Sequence, residues 1–171
     1  IMVNNAGISG DGRSLTLSED QWREVMNVNL DAVWFGAQEA ARRMVAAKTP
    51  GSIINIASIL GLRVQPGLAA YTVSKAGVIQ LTQALAQEWA RYSIRVNAIA
   101  PGYILTGIND TFFDTPEGAA MIRAIPQRRI GDPSDLDGTI LLLASRKASG
   151  FMTGSTVVVD GGHSVALPVH G

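Results

Sequence analysis

The chain has 171 residues, of which 47% are hydrophobic and 16% are charged. This length and composition favour one globular core and exclude an intrinsically disordered protein. The 14 basic and 14 acidic residues give a formal net charge of zero, which argues against a general nucleic-acid binder because no basic excess offsets phosphate charge. The absence of cysteine excludes disulfides, thiolate catalysis and cysteine-ligated metal sites.

No secretory signal and no apolar run long enough to cross a bilayer is found, so we expect a cytoplasmic protein without a membrane partner. The chain starts at Ile1 and continues directly with Met-Val-Asn-Asn-Ala-Gly, which reads as the interior of a buried strand. Terminal residues usually fray in solvent. We therefore expect a fragment of a longer chain.

Short apolar strands alternate with longer amphipathic helices, a pattern typical of an α/β fold with a parallel sheet. Residues 1–4 end a first strand. Ser18, followed by Gln21 three residues later, predicts a capping box that opens a helix over 18–47. The later predicted elements are a strand over 52–58, a helix over 70–92, a strand over 94–100, an irregular segment over 103–131 with a short helix through Met121, a helix from Asp132-Pro133 and a strand over 155–159.

One pair of residues in the second long helix suggests acid–base chemistry. Tyr71 and Lys75 lie four residues apart, so their side chains share one helix face. A phenol has an ordinary pKa of about 10, and a neighbouring ammonium lowers that pKa by favouring the phenolate. Ser58 ends a buried strand, at the edge where open α/β sheets bind ligands, and its hydroxyl could bond the same substrate oxygen.

With further motifs in the same order, the chain resembles the short-chain dehydrogenase/reductase family over nearly its whole length. The motifs are Asn-Asn-Ala-Gly at 4–7, Asn29 in Asn-Val-Asn-Leu, Ser58, the Tyr-x-x-x-Lys of Tyr71 and Lys75, Pro101-Gly102, and Asp-Gly-Gly at 160–162. The resemblance implies the C-terminal part of a doubly wound, Rossmann-like parallel α/β sheet. It implies one domain over 1–171, without the N-terminal βαβαβ portion.

The resemblance also implies an NAD(P)-dependent oxidoreductase that interconverts a carbonyl and a secondary alcohol. Tyr71 would exchange a proton with the substrate, and Ser58 would polarise the carbonyl. Lys75 would lower the pKa of the tyrosine and bind the nicotinamide ribose, and Asn29 would hold a water linking Lys75 to solvent. The implied cofactor-binding residues are Asn5, Ala6, Gly7, Tyr71, Lys75, Pro101, Gly102, Ile104 and Thr106. No metal site is predicted, since no group of His, Asp and Glu has ligand spacing.

The chain departs from the family pattern before Asn4, where no glycine-rich phosphate turn precedes the motif, so NAD and NADP both remain open. The segment 103–131 would form a lid whose apolar residues and arginines allow a hydrophobic carbonyl compound, a sugar acid or an acyl thioester as the small-molecule substrate. The two long helices would form a homodimer or homotetramer. His163 and His170 have no partner pattern and are expected on the surface.

Other functions remain open. A cofactor-independent lyase of the same fold, similar to halohydrin dehalogenases, would suit the missing glycine-rich turn. Those relatives pair the tyrosine with arginine, so Lys75 counts against this alternative. The second alternative is that the chain is a fragment without catalytic activity. A serine–lysine hydrolase is disfavoured because Ser58 lacks a Gly-x-Ser-x-Gly turn.

Overall fold

The computed structural model describes residues 1–10, 12–105 and 113–166. All four strands in this part of the chain are parallel and lie in the sheet order β1-β2-β3-β4. Because the strands are parallel, their carboxyl ends meet at one edge of the sheet, which we call the carboxyl edge. The strands are β1 (Met2–Asn4), β2 (Gly51–Ile56), β3 (Ile94–Pro101) and β4 (Thr156–Val159).

The first long helix of the sequence prediction is present but interrupted. Helices α1 (Glu19–Met26) and α2 (Ala32–Ala46) flank a π-helical turn at Asn27–Asp31. The predicted capping box is confirmed: the Ser18 hydroxyl accepts from the backbone N of Gln21 at 3.2 Å, and the side chain of Gln21 accepts from the backbone N of Ser18 at 3.0 Å. The hydrophobic spacing alone does not predict the π-helical turn.

The remaining helices follow the predicted order, with small changes at their ends. The predicted helix from Asp132 begins as a 3₁₀ turn, in which the Asp132 carboxylate accepts from the backbone N of Ser134. The helices are α3 (Ala69–Trp89), α4 (Pro116–Ala124), α5 (Asp137–Ala144) and α6 (Arg146–Ser149), and single 3₁₀ turns occur at Ile59–Gly61, Ala90–Tyr92, Pro133–Leu136 and His163–Val165. Within the described ranges, no helix is long and apolar enough to span a bilayer.

Helices cover both faces of the sheet. Successive strand residues point to opposite faces, so the fully buried Ile53 packs against α2 and α3, whereas its neighbour Ile54 packs with Leu143 of α5. Burying one such side chain stabilises the fold by about 1.5–3 kcal/mol. This two-sided burial confirms the predicted doubly wound α/β architecture.

A buried chain of polar side chains ties β1 to the rest of the sheet. The Asn4 amide donates to Asn55 Oδ1 at 2.8 Å, and the Asn55 amide donates to Thr82 Oγ1 at 2.9 Å. Thr82 Oγ1 in turn donates to the carbonyl of Val78 at 2.8 Å. A buried polar group needs such partners to offset its lost hydration. The network therefore fixes the point where the Asn-Asn-Ala-Gly segment leaves the sheet.

Candidate active site

Ser58 and Tyr71 meet at the carboxyl edge, beyond the end of β2. The predicted strand over 52–58 ends two residues early, at Ile56, so Ser58 lies in the connection that follows and caps a 3₁₀ turn. Its hydroxyl accepts from the backbone N of Leu60 at 3.1 Å, and its side chain lowers the pKa of the neighbouring Tyr71 phenol. The half-buried Tyr71 lies in the first turn of α3.

Lys75 lies one turn further along α3 and is almost completely buried, with 3% of its surface exposed. Its Nζ donates to the backbone carbonyl of Ile56 at 3.0 Å and lies 5.7 Å from the centroid of the Tyr71 ring. No carboxylate forms an ion pair with Lys75 among the described residues. Burial without a counter-charge lowers the pKa of Lys75 to about 8.

The pKa of Tyr71 is shifted in the opposite direction to the one predicted from the sequence. Burial raises the pKa of the phenol, and the neighbouring Ser58 side chain offsets only part of that increase. The predicted lowering by Lys75 is therefore not the dominant effect in the protein alone. The physical reason is that burial disfavours the phenolate, while the ammonium lies beside the ring and donates to Ile56 instead.

Asn29 occupies the middle of the π-helical turn and is fully buried. Its Oδ1 accepts from the backbone N of Ile8 at 2.8 Å, and its Nδ2 donates to the carbonyl of Ile8 at 2.9 Å and to Ser74 Oγ at 3.1 Å. These bonds connect the segment after β1 to α3. The Asn29 amide thus has internal partners at both of its ends.

The Asn-Asn-Ala-Gly segment passes directly over this group. Asn5, Ala6 and Gly7 are exposed, and a Cβ added at Gly7 would lie 3.3 Å from both Asn29 Oδ1 and Lys75 Nζ. A larger residue at this position would crowd both side chains. Gly7 therefore brings the backbone close to Lys75 and joins the two sequence motifs in space.

The other predicted cofactor residues follow β3 and reach the same edge of the sheet. Pro101 ends β3, and the backbone N of Gly102 donates to the carbonyl of Val159 at 2.9 Å. A Cβ at Gly102 would approach Asp160 to 2.7 Å, so a side chain there would collide with the end of β4. Ile104 pairs with Gly131 in an isolated bridge, and Thr106 lies outside the described residues.

Gln65 and Tyr103 lie beside the site; Tyr103 was expected only as part of the lid over 103–131, and Gln65 was not identified from the sequence. The hydroxyl of Tyr103 donates to Gln65 Oε1 at 2.7 Å, and Tyr103 interacts electrostatically with Tyr71. The ring of Tyr103 lies 5.5 Å from that of His163 and 6.3 Å from that of Phe113, centroid to centroid. Tyr103 directly follows the Pro-Gly motif, and that adjacency is the sequence signal that could have indicated its place.

The surface position expected for His163 is wrong. His163 is partly buried against Tyr103, and its Nδ1 is buried without a hydrogen-bond partner in the described part of the chain. The 3₁₀ turn that follows Asp-Gly-Gly folds His163 back over the site, because the Asp160 carboxylate accepts from the backbone N of Gly162 and of Ser164. Its counterpart in the prediction, His170, lies outside the described residues.

Known proteins match nearly the whole of this chain. A family model described as Enoyl-(Acyl carrier protein) reductase matches residues 1–164. The chain belongs to the short-chain dehydrogenase/reductase family. The family model thus covers β1 to β4 and the whole of the candidate active site.

Named relatives of the family cover the same residues. The 2-dehydro-3-deoxy-D-gluconate 5-dehydrogenase of Escherichia coli (strain K12) is 44% identical over 163 residues, 95% of this chain and 64% of that protein. The 3-oxoacyl-(acyl-carrier-protein) reductase FabG of Chlamydia pneumoniae is 41% identical over 162 residues, 95% of this chain and 64% of that protein. The chain therefore spans slightly less than two thirds of the length of these curated relatives.

A solved structure in the family has the same fold. The gluconate 5-dehydrogenase of Burkholderia cenocepacia J2315, in complex with NADP and tartrate, superposes with a TM-score of 0.91 at 38% sequence identity. The match covers 96% of this chain and 64% of the Burkholderia chain. The similarity supports the Rossmann-like fold predicted for the short-chain dehydrogenase/reductase family.

Proposed function

We propose that the protein containing this chain is an NAD(P)-dependent oxidoreductase that interconverts a carbonyl group and a secondary alcohol. The observation that carries this proposal is the meeting of Ser58, Tyr71 and Lys75 at the carboxyl edge, where the Ser58 side chain lowers the pKa of Tyr71 and Lys75 Nζ lies 5.7 Å from the centroid of the tyrosine ring. The relatives named as dehydrogenases and reductases support the same reaction class.

In this proposal, Ser58 and Tyr71 act on one substrate oxygen. The Ser58 hydroxyl donates a hydrogen bond to that oxygen and holds it beside the phenol. Tyr71 gives its proton to the oxygen during reduction and removes a proton from the hydroxyl during oxidation. The Lys75 ammonium then stabilises the phenolate that is left after proton transfer.

The residues around Lys75 fit a nicotinamide cofactor, for which we propose NAD or NADP. An ammonium has three donors, and Ile56 accepts from one of them, so Lys75 has further donors for ribose hydroxyls. The exposed backbone of Asn5, Ala6 and Gly7 and the segment from Pro101 to Ile104 would flank the cofactor. The nicotinamide, when bound, accepts hydride from the alcohol carbon or supplies it to the carbonyl carbon.

Asn29 acts in this proposal as a positioning residue. Its amide bonds with Ile8 and Ser74 use both ends of the side chain, so the amide itself is poorly placed to hold the water assigned to it by resemblance. A π-helical turn changes the helical hydrogen-bond pattern and is frequently found at functional sites. We therefore propose that a backbone carbonyl of this turn, rather than the amide, holds a water near Lys75.

We propose that residues 1–171 form the C-terminal part of one Rossmann-like domain in a cytoplasmic homodimer or homotetramer. The shared sheet and the coverage of 64% of the curated relatives support the domain assignment. Exposed apolar side chains on the long helices support association: Phe35 of α2 is 63% exposed and Val73 of α3 is 47% exposed.

The test is Tyr71→Phe in the full-length protein. Loss of general acid–base catalysis lowers kcat by about 10²- to 10⁴-fold. Cofactor affinity, measured by fluorescence titration, should stay close to that of the wild type. The matched control is Tyr92→Phe, which removes the hydroxyl of an exposed tyrosine in the 3₁₀ turn after α3. This variant should leave kcat unchanged.

Turnover at the wild-type rate in the Tyr71→Phe variant would overturn the assignment of the proton donor. Release of halide from a halohydrin without any change in nicotinamide absorbance would instead support the lyase alternative. Both results are read from the same protein preparation.

A further inference from the structure

A cavity of about 730 Å³ opens beside the candidate active site. Its wall includes Ile59 and Leu60, which directly follow Ser58, and Tyr103, which interacts electrostatically with Tyr71. Ser58 and Tyr71 do not themselves line the cavity, which therefore lies next to the residues proposed to hold the substrate oxygen. Its volume lies within the range of about 300–1,000 Å³ that is usual for small-molecule sites.

Among the described residues that line this cavity, the side chains that carry a charge at neutral pH are all arginines. Arg63 follows the 3₁₀ turn after β2, Arg123 and Arg128 lie at and just after the end of α4, and no Asp or Glu is among the described residues that line the wall. We call this region the arginine cleft. Asp160 does not line the cavity, and its carboxylate accepts from the backbone N of Gly162 at 2.8 Å and of Ser164 at 2.6 Å.

None of the three arginines forms an ion pair with another described residue, which distinguishes them from the next arginine along the chain. Arg129 donates to both carboxylate oxygens of Asp135, at 2.6 and 2.9 Å. Arg63 and Arg128 instead donate to backbone carbonyls, of Ser164 and Arg123 respectively. Those bonds use Nε of Arg63 and Nη1 of Arg128, so each guanidinium is held in place while further donors remain for a ligand.

The backbone at Arg128 has an uncommon conformation, which among the described residues other than glycine also occurs at Lys48 and Ser93. Arg128 has a positive φ of 55°, a left-handed conformation that is uncommon for a residue with a side chain. Such conformations cost free energy and cluster at ligand sites. The turn formed by residues 125–128 brings Arg128 to the wall of the cleft, whereas Arg129 pairs with Asp135 and does not line this cavity.

Guanidinium groups are suited to bind carboxylates, since their planar donors match two carboxylate oxygens. We propose that the substrate is a hydroxy acid or oxo acid whose carboxylate is bound in the arginine cleft while its alcohol or carbonyl carbon lies at Tyr71. This inference rests on the proposed oxidoreductase function and specifies its substrate class. A neutral carbonyl compound would have no negative charge to pair with these three guanidinium groups.

The test compares hydroxy acids of three to six carbons with their carboxamides in the full-length protein, with NAD and NADP as cofactors. Neutral polyols and acetoacetyl-coenzyme A complete the panel. The best substrate should be an acid, and its kcat/KM should exceed that of the matched amide by about 10- to 100-fold, the effect of losing a hydrogen bond to a charged group. A neutral polyol or the thioester as best substrate would overturn the proposal.

Arg63→Gln and Arg128→Gln test the residues themselves. Each should raise KM for the acid by about 10- to 100-fold, with kcat, the amide reaction and the KM of the cofactor nearly unchanged. Arg129→Gln is the matched control, because it removes the neighbouring arginine that is paired with Asp135, and it should leave KM for the acid unchanged. Equal losses for the acid and the amide would contradict carboxylate binding.

A binding measurement separates failure of this inference from failure of the proposed function. Isothermal titration of the cofactor-saturated Tyr71→Phe variant with the same acids requires no turnover. Binding that weakens at least 10-fold when Arg63→Gln is added supports the arginine cleft even if no acid is oxidised. Absence of acid binding, or binding that is insensitive to Arg63 and Arg128, would overturn it.

Discussion

The two sides of the candidate active site differ in the burial and the internal hydrogen bonding of their polar groups. On the side of Asn29 and Lys75, the polar side chains are buried and bond to groups within the chain. In the arginine cleft, the three guanidinium groups are exposed and unpaired with any described carboxylate. One side is held rigidly, and the other presents charge to the cavity.

The difference follows from the cost of burying polar groups. A buried amide or ammonium must find internal partners, and those partners fix its position. An exposed arginine remains hydrated and needs no internal partner until a ligand arrives. The reaction chemistry therefore depends on a fixed geometry, whereas substrate choice can depend on a few surface residues.

The largest effect on the rigid side is expected from Asn29→Ala. The substitution leaves the buried groups of Ile8 and Ser74 without their partner and should lower the free energy of unfolding by about 3 kcal/mol. Urea unfolding of the full-length protein measures this change. Asn27→Ala, which alters an exposed residue of the same π-helical turn, should stay within about 0.5 kcal/mol of the wild type. Equal losses in the two variants would contradict the bonding role of Asn29.

A smaller, pH-dependent effect is expected from Lys75. Its pKa is about 8 in the folded protein and near 10.5 when unfolded, so the unfolded state binds more protons between these values. Stability of the cofactor-free protein should therefore rise with pH, by about 2 kcal/mol between pH 7.5 and 9.5. The raised pKa of Tyr71 keeps the phenol protonated throughout this interval.

Lys75→Met should remove this rise, whereas Lys147→Met, at an exposed lysine of α6, should retain it. The measurement is the free energy of unfolding at several pH values, so the comparison does not depend on how well methionine fits the site. A rise of equal size in Lys75→Met would show that another group carries the pH dependence.

The smallest effect is expected at the boundary between the two sides. Tyr103→Phe removes the hydrogen bond to Gln65 and should lower the free energy of unfolding by about 1 kcal/mol, with a several-fold higher KM and an unchanged kcat. Gln65→Leu should have a similar effect. The double variant should lose little more than either single one, since both changes remove the same bond. Fully additive losses, or a large fall in kcat, would contradict this positioning role.

Much of the fold could be predicted because its signals are local. The capping box at Ser18, the N-cap at Asp132 and the alternating apolar strands each depend on a few neighbouring residues. The strand of Ser58 was predicted two residues too long, because apolar sequence continues past the last ladder bond into the 3₁₀ turn. The candidate residues Asn29, Ser58, Tyr71 and Lys75 were also identified from motifs alone.

The tertiary structure determined the burial, the hydrogen-bond partners and the pKa shifts of these residues. Burial raises the pKa of Tyr71, although the sequence spacing predicted a decrease. The π-helical turn buries the Asn29 amide between Ile8 and Ser74, and folding of the chain after β4 brings His163 against Tyr103.

The sequence by itself determined the order of the strands and helices and the residue types available for proton transfer, because both are encoded over short stretches of chain. Only the tertiary structure decided that Arg63, Arg123 and Arg128 line one cavity and that Arg129 does not. The burial of a side chain, its electrostatic environment and the set of residues that line a cavity depend on residues far apart in sequence. Neither the spacing of motifs nor hydrophobic periodicity contains that information.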